Sequence, residues 1–155
     1  MIRGWRLVKS AHREAAFDGE GARRFGGRWN SPGTRVVYVA ESRALAALEL
    51  LVHLHRSEIL AAYCIIPVDI PEQLVSVVRP EELPPTWREY PSPAANKAVG
   101  DSWAVELASA VLAVPSAVVE GEAIFLLNPN HPQFRDIIIG NAEPFAYDER
   151  LLKPR

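Results

Sequence analysis

The chain has 155 residues, 48% of them hydrophobic, and its 17 Lys and Arg residues against 19 Asp and Glu residues give a net charge of −2. This length and apolar content predict one domain, residues 1–155, with one continuous core. The near-neutral charge excludes a broad basic surface, so we expect no direct contact with nucleic acid and none with an anionic membrane.

The cysteine count and the first residues restrict the compartment. Cys64 is the only cysteine, so an internal disulfide and a cysteine-based metal site are both excluded. The start, MIRGWRLVKS, is too short and too charged for a signal peptide, and no apolar run approaches the roughly 20 residues of a membrane-spanning helix. We therefore expect a cytoplasmic protein in which Cys64 is a buried core thiol.

The first third of the chain predicts two strands and a helix. Residues 5–9 form a short mixed run typical of a strand, and a polar segment rich in glycine follows. The β-branched and aromatic run 34–40 predicts the next strand, because a Pro-Gly pair precedes it and polar residues follow it. Ser42 is a typical N-cap residue for an Ala- and Leu-rich helix that we expect to end near residue 56.

The rest of the chain predicts mostly strands. A proline-rich stretch, 79–94, predicts an irregular connection, and the pattern over 95–109 favours a helix. Apolar runs predict six further strands, at 61–71, 74–78, 111–115, 123–127, 136–140 and 144–148. Because strands outnumber helices and do not alternate strictly with them, the pattern favours an α+β sheet fold over a doubly wound one.

Arg28 stands between glycine and tryptophan in the segment GGRWNSPG, residues 26–33. A guanidinium can meet two phosphate oxygens at once, and a neighbouring glycine such as Gly27 lets the backbone approach the same anion. Most arginines in glycine-rich loops are simply solvated, and neither GxxxxGK[ST] nor GxGxxG occurs in the chain. A phosphate-binding loop and an ordinary surface loop both remain open.

Glu49 and Tyr38 each allow two interpretations. Glu49 is the only acid between Arg43 and His53 of the predicted helix; its polar stripe either faces water or places a carboxylate at the floor of a cleft, where it could stabilise positive charge. Tyr38, on the preceding strand, is either core packing with its hydroxyl tied off or a platform for a flat heterocycle. A loop, strand and helix in succession can direct Arg28, Tyr38 and Glu49 into one cleft.

The remaining polar candidates predict less. His53 and His55 are two apart on a helix and point to different faces, so we expect no metal site. Ser116 lacks a GxSxG elbow, which disfavours a serine hydrolase but leaves a hydrogen bond to a ligand open. Asn128 most simply caps the turn at Pro129.

One long segment resembles a known family. FDGEGARRFGGRWNSPGTRVVYVAESRALAALELLVHL is similar to the opening block of the RES domain family, the toxins of RES/Xre toxin–antitoxin systems, named for an Arg, a Glu and a Ser. Further matches follow in the same order over nearly the whole chain: LPPTWREYPSP, VGDSWA, VPSAVV, LLNPNHPQF and PFAYDERL. The resemblance places the family arginine at Arg28, the tyrosine at Tyr38, the glutamate at Glu49, the serine at Ser116 and a motif asparagine, expected in the same cleft, at Asn128.

This resemblance implies an ADP-ribosyltransferase-like fold, a mixed sheet split around an NAD-binding cleft with flanking helices. NAD would be the substrate, no metal would be needed, and the contacts would come from Gly27, Arg28, Tyr38, Ser116 and Asn128. An Xre-type helix-turn-helix antitoxin would cover the cleft. A homodimer is also expected.

The resemblance further implies cleavage of the nicotinamide–ribose bond through an oxocarbenium-like transition state. Glu49 would stabilise the cation, Arg28 would hold the pyrophosphate or adjacent ribose, Tyr38 would stack on nicotinamide and Ser116 would hydrogen-bond near the reacting ribose. The acceptor stays open: water or phosphate would make the protein an NAD-depleting toxin, and a protein acceptor would make it a mono-ADP-ribosyltransferase. The alternative from another class is a non-catalytic nucleotide-binding module.

Overall fold

In the computed structural model, which describes residues 1–152, all the strands belong to one mixed sheet. The strands are β1 (Ile2–Lys9), β2 (Val37–Ala40), β3 (Tyr63–Ile70), β4 (Val75–Val77), β5 (Val111–Pro115), β6 (Ala123–Leu127), β7 (Ile138–Ile139) and β8 (Glu143–Phe145). The α-helices are α1 (Glu20–Phe25), α2 (Arg43–Leu51) and α3 (Ala94–Val105). The predicted α+β fold class is confirmed, and the extent of the domain over 1–155 stays a prediction because 153–155 lie outside the described residues.

The sheet has the order β4-β5-β6-β2-β1-β3-β7, and β8 also pairs with β3. The β4–β5 pair is parallel and the other pairs are antiparallel. β1 pairs with β3 along all eight of its residues but meets β2 at a single position, Trp5 opposite Ala40. The sheet therefore opens between β1 and β2, at its middle.

Alternation along the strands separates two apolar layers. One face packs against α2, α3 and the loop that carries Trp29, and buries residues such as Leu45, Trp103 and Leu126. The other face is covered by short 3₁₀ turns and connections. The two large helices thus lie on the same side of the sheet, and we call that side the helix face.

Local sequence signals account for several element ends. Ser42 caps α2, accepting a hydrogen bond from the Leu45 N–H at 3.0 Å, as predicted. α2 ends at Leu51, earlier than the predicted residue 56, because His55 and Glu58 start a separate 3₁₀ turn in which the Glu58 carboxylate accepts from the His55 N–H. Cys64 is buried, as predicted.

Candidate active site

Tyr38 lies on β2 in the middle of the helix face, and a loop is folded around its hydroxyl. The hydroxyl donates to Asn30 Oδ1 at 2.7 Å and accepts from the Trp29 N–H at 3.1 Å. A Cβ atom at Gly27 would lie 2.6 Å from this hydroxyl oxygen. Gly27 is therefore required by close packing on the phenol.

The loop 26–33 is held in place by the side chain of its own Asn30 and by a hydrogen bond to α3. Asn30 is fully buried, and its Nδ2 donates to the carbonyls of Ala22, Ser31 and Thr34. The Asp101 carboxylate of α3 accepts from the Ser31 N–H at 2.9 Å. Since its buried polar groups are hydrogen-bonded, this segment is a fixed part of the fold.

Trp29 fixes the same loop through packing. It is 1% exposed, and its carbonyl lies so close to Gly100 of α3 that a Cβ there would fall 1.7 Å from the oxygen. Its ring is 6.5 Å from that of Trp87, in the proline-rich connection. Gly100 thus allows α3 to press directly against the loop.

Arg28 projects from this loop toward the proline-rich connection, whose residues 84–93 we call the strap. Its Nη1 donates to the carbonyls of Trp87 and Glu89, both at 3.1 Å, and Ser92 Oγ donates back to the Arg28 carbonyl at 2.6 Å. Within residues 1–152 no carboxylate lies within 4.0 Å of this guanidinium. Its charge is oriented but not neutralised, which suits a site for an anion.

Glu49 of α2 meets Ser116, which directly follows β5. Ser116 is 1% exposed, and its Oγ donates to Glu49 Oε1 at 2.8 Å. The same Oγ accepts from the N–H groups of Val118 and Val119, at 3.1 and 3.0 Å. Because a hydroxyl has one proton and two lone pairs, these bonds use its full capacity and direct its proton to the carboxylate.

The charges of Arg28 and Glu49 both influence the pKa of Tyr38. Burial raises the pKa of the Tyr38 phenol far above its usual value, and the hydrogen bond from the Trp29 N–H opposes that shift. The negative charges of Asp101 and Glu49 also raise this pKa, and the positive charge of Arg28 lowers it. Arg28 and Glu49 therefore both lie within electrostatic range of one neutral phenol.

The structure brings Arg28, Tyr38, Glu49 and Ser116 to the helix face but leaves Asn128 apart from the Glu49–Ser116 pair. The Ser116 N–H bonds Glu122 at one end of the β5–β6 ladder, and the Asn128 N–H bonds Ala110 at the other. Six residue steps of about 3.4 Å separate these ends, roughly 20 Å.

The side-chain amide of Asn128 makes hydrogen bonds within the protein. It is 1% exposed, donates to the Ala104 carbonyl of α3 and accepts from the Asn130 N–H, both at 3.0 Å. The turn-capping role predicted for Asn128 is confirmed. The expectation that it lies in the same cleft as Ser116 stays a prediction, and its Nδ2 group holds the end of α3 on the sheet.

Sequence reasoning missed three polar residues that shape the site: Asn30, Asn96 and Asp101. Asn96 of α3 is fully buried and its Nδ2 donates to the Trp87 carbonyl at 2.8 Å, the same oxygen that Arg28 binds. Only the placement of Asn30 directly after Arg28 and Trp29 offered a signal. The partners of Asn96 and Asp101 come from loops that no local pattern connects to α3.

Residues 1–152 contain neither a cluster of metal ligands nor a helix that could span a membrane. No group of three or more His, Cys, Asp or Glu side chains there is arranged to hold a metal ion. None of the helices in that range is both long and apolar enough to cross a membrane.

Comparison with known proteins gives concordant matches. The family model described as the RES domain matches residues 3–148. The chain is 35% identical over 149 residues to Toxin Res of Yersinia enterocolitica, covering 95% of this chain and 97% of that protein. It is 34% identical over 154 residues to the Prs ADP-ribosylating toxin of a Sphingobium species, covering 96% of each.

A solved structure matches as well. The fold superposes with a TM-score of 0.72 on a chain of the M. tuberculosis MbcT–MbcA toxin–antitoxin complex, at 22% identity and covering 97% of this chain and 86% of that one. The predicted α+β fold is therefore shared with that chain. With the family match extending over almost the whole chain, the protein belongs to the RES domain family.

Proposed function

We propose that this protein is the toxin of a toxin–antitoxin pair and cleaves the nicotinamide–ribose bond of NAD. The observation that carries the proposal is the arrangement on the helix face. Arg28 has no carboxylate partner among residues 1–152, and it lies within electrostatic range of the same Tyr38 phenol as the Glu49 carboxylate, which accepts a hydrogen bond from Ser116. A cation for a pyrophosphate and a carboxylate for a developing positive charge are what this reaction requires. The toxin names of the relatives support the same class.

In the proposed reaction the bond between ribose C1′ and the nicotinamide nitrogen breaks. The electron pair of that bond goes to the positively charged nitrogen, so nicotinamide leaves as a neutral base and needs no acid. An oxocarbenium-like cation develops on the ribose, and the Glu49 carboxylate stabilises it. A lone pair of the acceptor then attacks C1′, and the acceptor loses its proton to solvent.

The other residues bind and orient the substrate. Arg28 keeps one amino nitrogen on the strap carbonyls, and its other N–H groups serve the pyrophosphate or the adjacent ribose. Tyr38 stays neutral and offers its ring to the nicotinamide. Ser116 holds Glu49 in one orientation, because its only proton is committed to that carboxylate.

The acceptor and the partner belong to the same proposal. Water or phosphate as acceptor would deplete NAD, whereas the printed name of the Sphingobium relative favours transfer of ADP-ribose to a protein as the second candidate. We propose an Xre-type helix-turn-helix antitoxin as partner, supported by the toxin–antitoxin complex that shares the fold. A homodimer in the cytoplasm completes the proposal.

The test is to incubate the purified protein with NAD and to measure free nicotinamide by chromatography. Release of nicotinamide is expected in wild type and in Glu106→Gln, which alters an exposed acid at the end of α3, and its loss is expected in Glu49→Gln. ADP-ribose, its 1″-phosphate or a labelled protein as product would identify the acceptor. Binding of NAD without nicotinamide release would instead make the protein a nucleotide-binding module.

A further inference from the structure

The opening in the sheet between β1 and β2 lies directly behind Tyr38. β2 pairs with β6 over all four of its residues, but on its other edge it meets β1 only at Ala40. From Arg6 to Lys9, β1 diverges from β2 while it stays paired with β3. The Tyr38 carbonyl thus lacks the strand partner that a closed sheet would supply.

The Arg6 side chain takes the place of that partner. Its Nη1 donates to the Tyr38 carbonyl at 2.9 Å, and its Nε donates to the Ala16 carbonyl. The guanidinium lies 5.9 Å from the centroid of the Phe17 ring. Burial lowers the pKa of Arg6 to about 10, and the negative charge of Asp18 opposes the shift, so the group remains charged at neutral pH.

We infer that Arg6 is a positioning residue for the reaction, because it bridges the open sheet and fixes the main chain that carries the Tyr38 phenol. Tyr38 is then held at both ends, at its carbonyl by Arg6 and at its hydroxyl by Trp29 and Asn30. The inference rests on the proposed function, in which Tyr38 faces the nicotinamide. A displacement of about 1 Å at a reacting geometry can cost on the order of 100-fold in rate.

Only arginine can make this bridge. The two carbonyls accept from two different nitrogens, Nε and Nη1, which a guanidinium holds in a rigid planar fork. A lysine has one nitrogen at the end of a flexible stem, so Arg6→Lys would keep the charge and lose the double attachment. The Arg6→Lys variant therefore separates the effect of the positive charge from the effect of the two hydrogen bonds.

The first measurement is kcat and KM for NAD in Arg6→Lys, well below its melting temperature. We expect kcat to fall by up to about 100-fold while KM changes less, since the substrate contacts of Arg28 are intact. Arg3→Lys is the matched control, because Arg3 lies on the same strand and pairs with Asp69 on the surface; its kinetics should equal those of wild type. A folded Arg6→Lys with wild-type kcat would overturn the inference.

A second variant, Arg6→Ala, allows chemical rescue. Phe17 and Asp18, which flank Arg6, also line an open cavity of about 530 Å³ on the surface. The space that Arg6→Ala leaves therefore lies beside this cavity, and we expect a small cation to reach it from that side. Adding methylguanidinium should restore kcat toward the wild-type value, whereas methylammonium, which lacks the planar fork, should not. Recovery of the melting temperature without recovery of kcat would show a structural role only and would overturn the inference.

A third measurement separates this inference from the proposed function. If wild type releases no nicotinamide, the proposed function fails, and the ring signals of Tyr38 in ¹³C-tyrosine-labelled protein still test the positioning. Assigned through Tyr38→Phe, these signals should shift in Arg6→Lys and stay in place in Arg3→Lys. Unchanged Tyr38 signals in Arg6→Lys would overturn the positioning role whatever the reaction.

Discussion

The two ends of the candidate site are built in opposite ways. At the loop end, Arg28, Trp29 and Asn30 are tied by hydrogen bonds and packing to the strap, to β2 and to α3. At the helix end, Ser116 is the only partner of the Glu49 carboxylate among residues 1–152. In the proposed function, Glu49 stabilises transient charge and needs a free oxygen, whereas Arg28 binds the substrate and needs a rigid support. Substitutions at the helix end should therefore change activity alone. Substitutions at the loop end should change both activity and stability.

The largest expected effect is at the helix end, in Glu49→Gln. The amide keeps an oxygen for the Ser116 hydroxyl but loses the negative charge, so NAD cleavage should fall by about 100- to 1000-fold, roughly 2.7 to 4 kcal/mol of barrier. The melting temperature should stay at the wild-type value. Nicotinamide release and circular dichroism check both statements, and a variant that cleaves NAD at the parental rate would remove Glu49 from the reaction.

At the loop end, Arg28→Lys should raise KM for NAD more than it lowers kcat. One ammonium cannot hold the carbonyls of Trp87 and Glu89 and still present a fork to a pyrophosphate. A lost hydrogen bond to a charged group costs about 1.5 to 3 kcal/mol, or roughly 10- to 150-fold in KM. Steady-state kinetics beside Arg24→Lys, an exposed arginine of α1, provide the comparison. Equal KM values in the two variants would contradict the role given to Arg28.

The packing of the loop end predicts a difference between two glycines. Gly100→Ala would drive a Cβ into the Trp29 carbonyl and should lower the free energy of unfolding by about 1 to 3 kcal/mol or more. Gly21→Ala, on α1 with no atom within 4 Å of the new Cβ, should be neutral or stabilising by up to about 1 kcal/mol. Urea denaturation measures both, and similar values would show that α3 does not press on the loop.

The smallest effect is the pH dependence that comes from Tyr38. Burial raises the pKa of this phenol in the native protein, so the native state keeps a proton that the unfolded chain loses near pH 10. Above that pH the unfolded state binds fewer protons, and stability should fall as pH rises, by up to about 1.4 kcal/mol per unit for this group. Denaturation at pH 9 and 11 should show a shallower decline in Tyr38→Phe, and an identical decline would contradict the burial effect.

Some features follow from neighbours along the chain. The N-cap at Ser42, the turn at Asn128 and the buried Cys64 were all predicted correctly, because capping, turn chemistry and apolar runs depend on residues a few positions apart. The predicted end of α2, near residue 56, was wrong by several residues, since the competing turn at His55 depends on the Glu58 side chain. The sequence also distinguishes Arg28 and Glu49, through the motifs that resemble those of the family.

Other features depend on partners that are distant along the chain. Ser116 meets Glu49 across 67 positions and Arg28 meets Trp87 across 59, and no periodic pattern encodes such pairs. Asn128 shows the same limit, because its neighbours predict the turn that it caps, whereas its hydrogen bond to Ala104 of α3 joins residues 24 positions apart. Strand alternation and capping act through neighbouring residues and so can be inferred from the order of amino acids. The opening behind Tyr38 and the residues that close it arise only when the separated strands are assembled into one sheet.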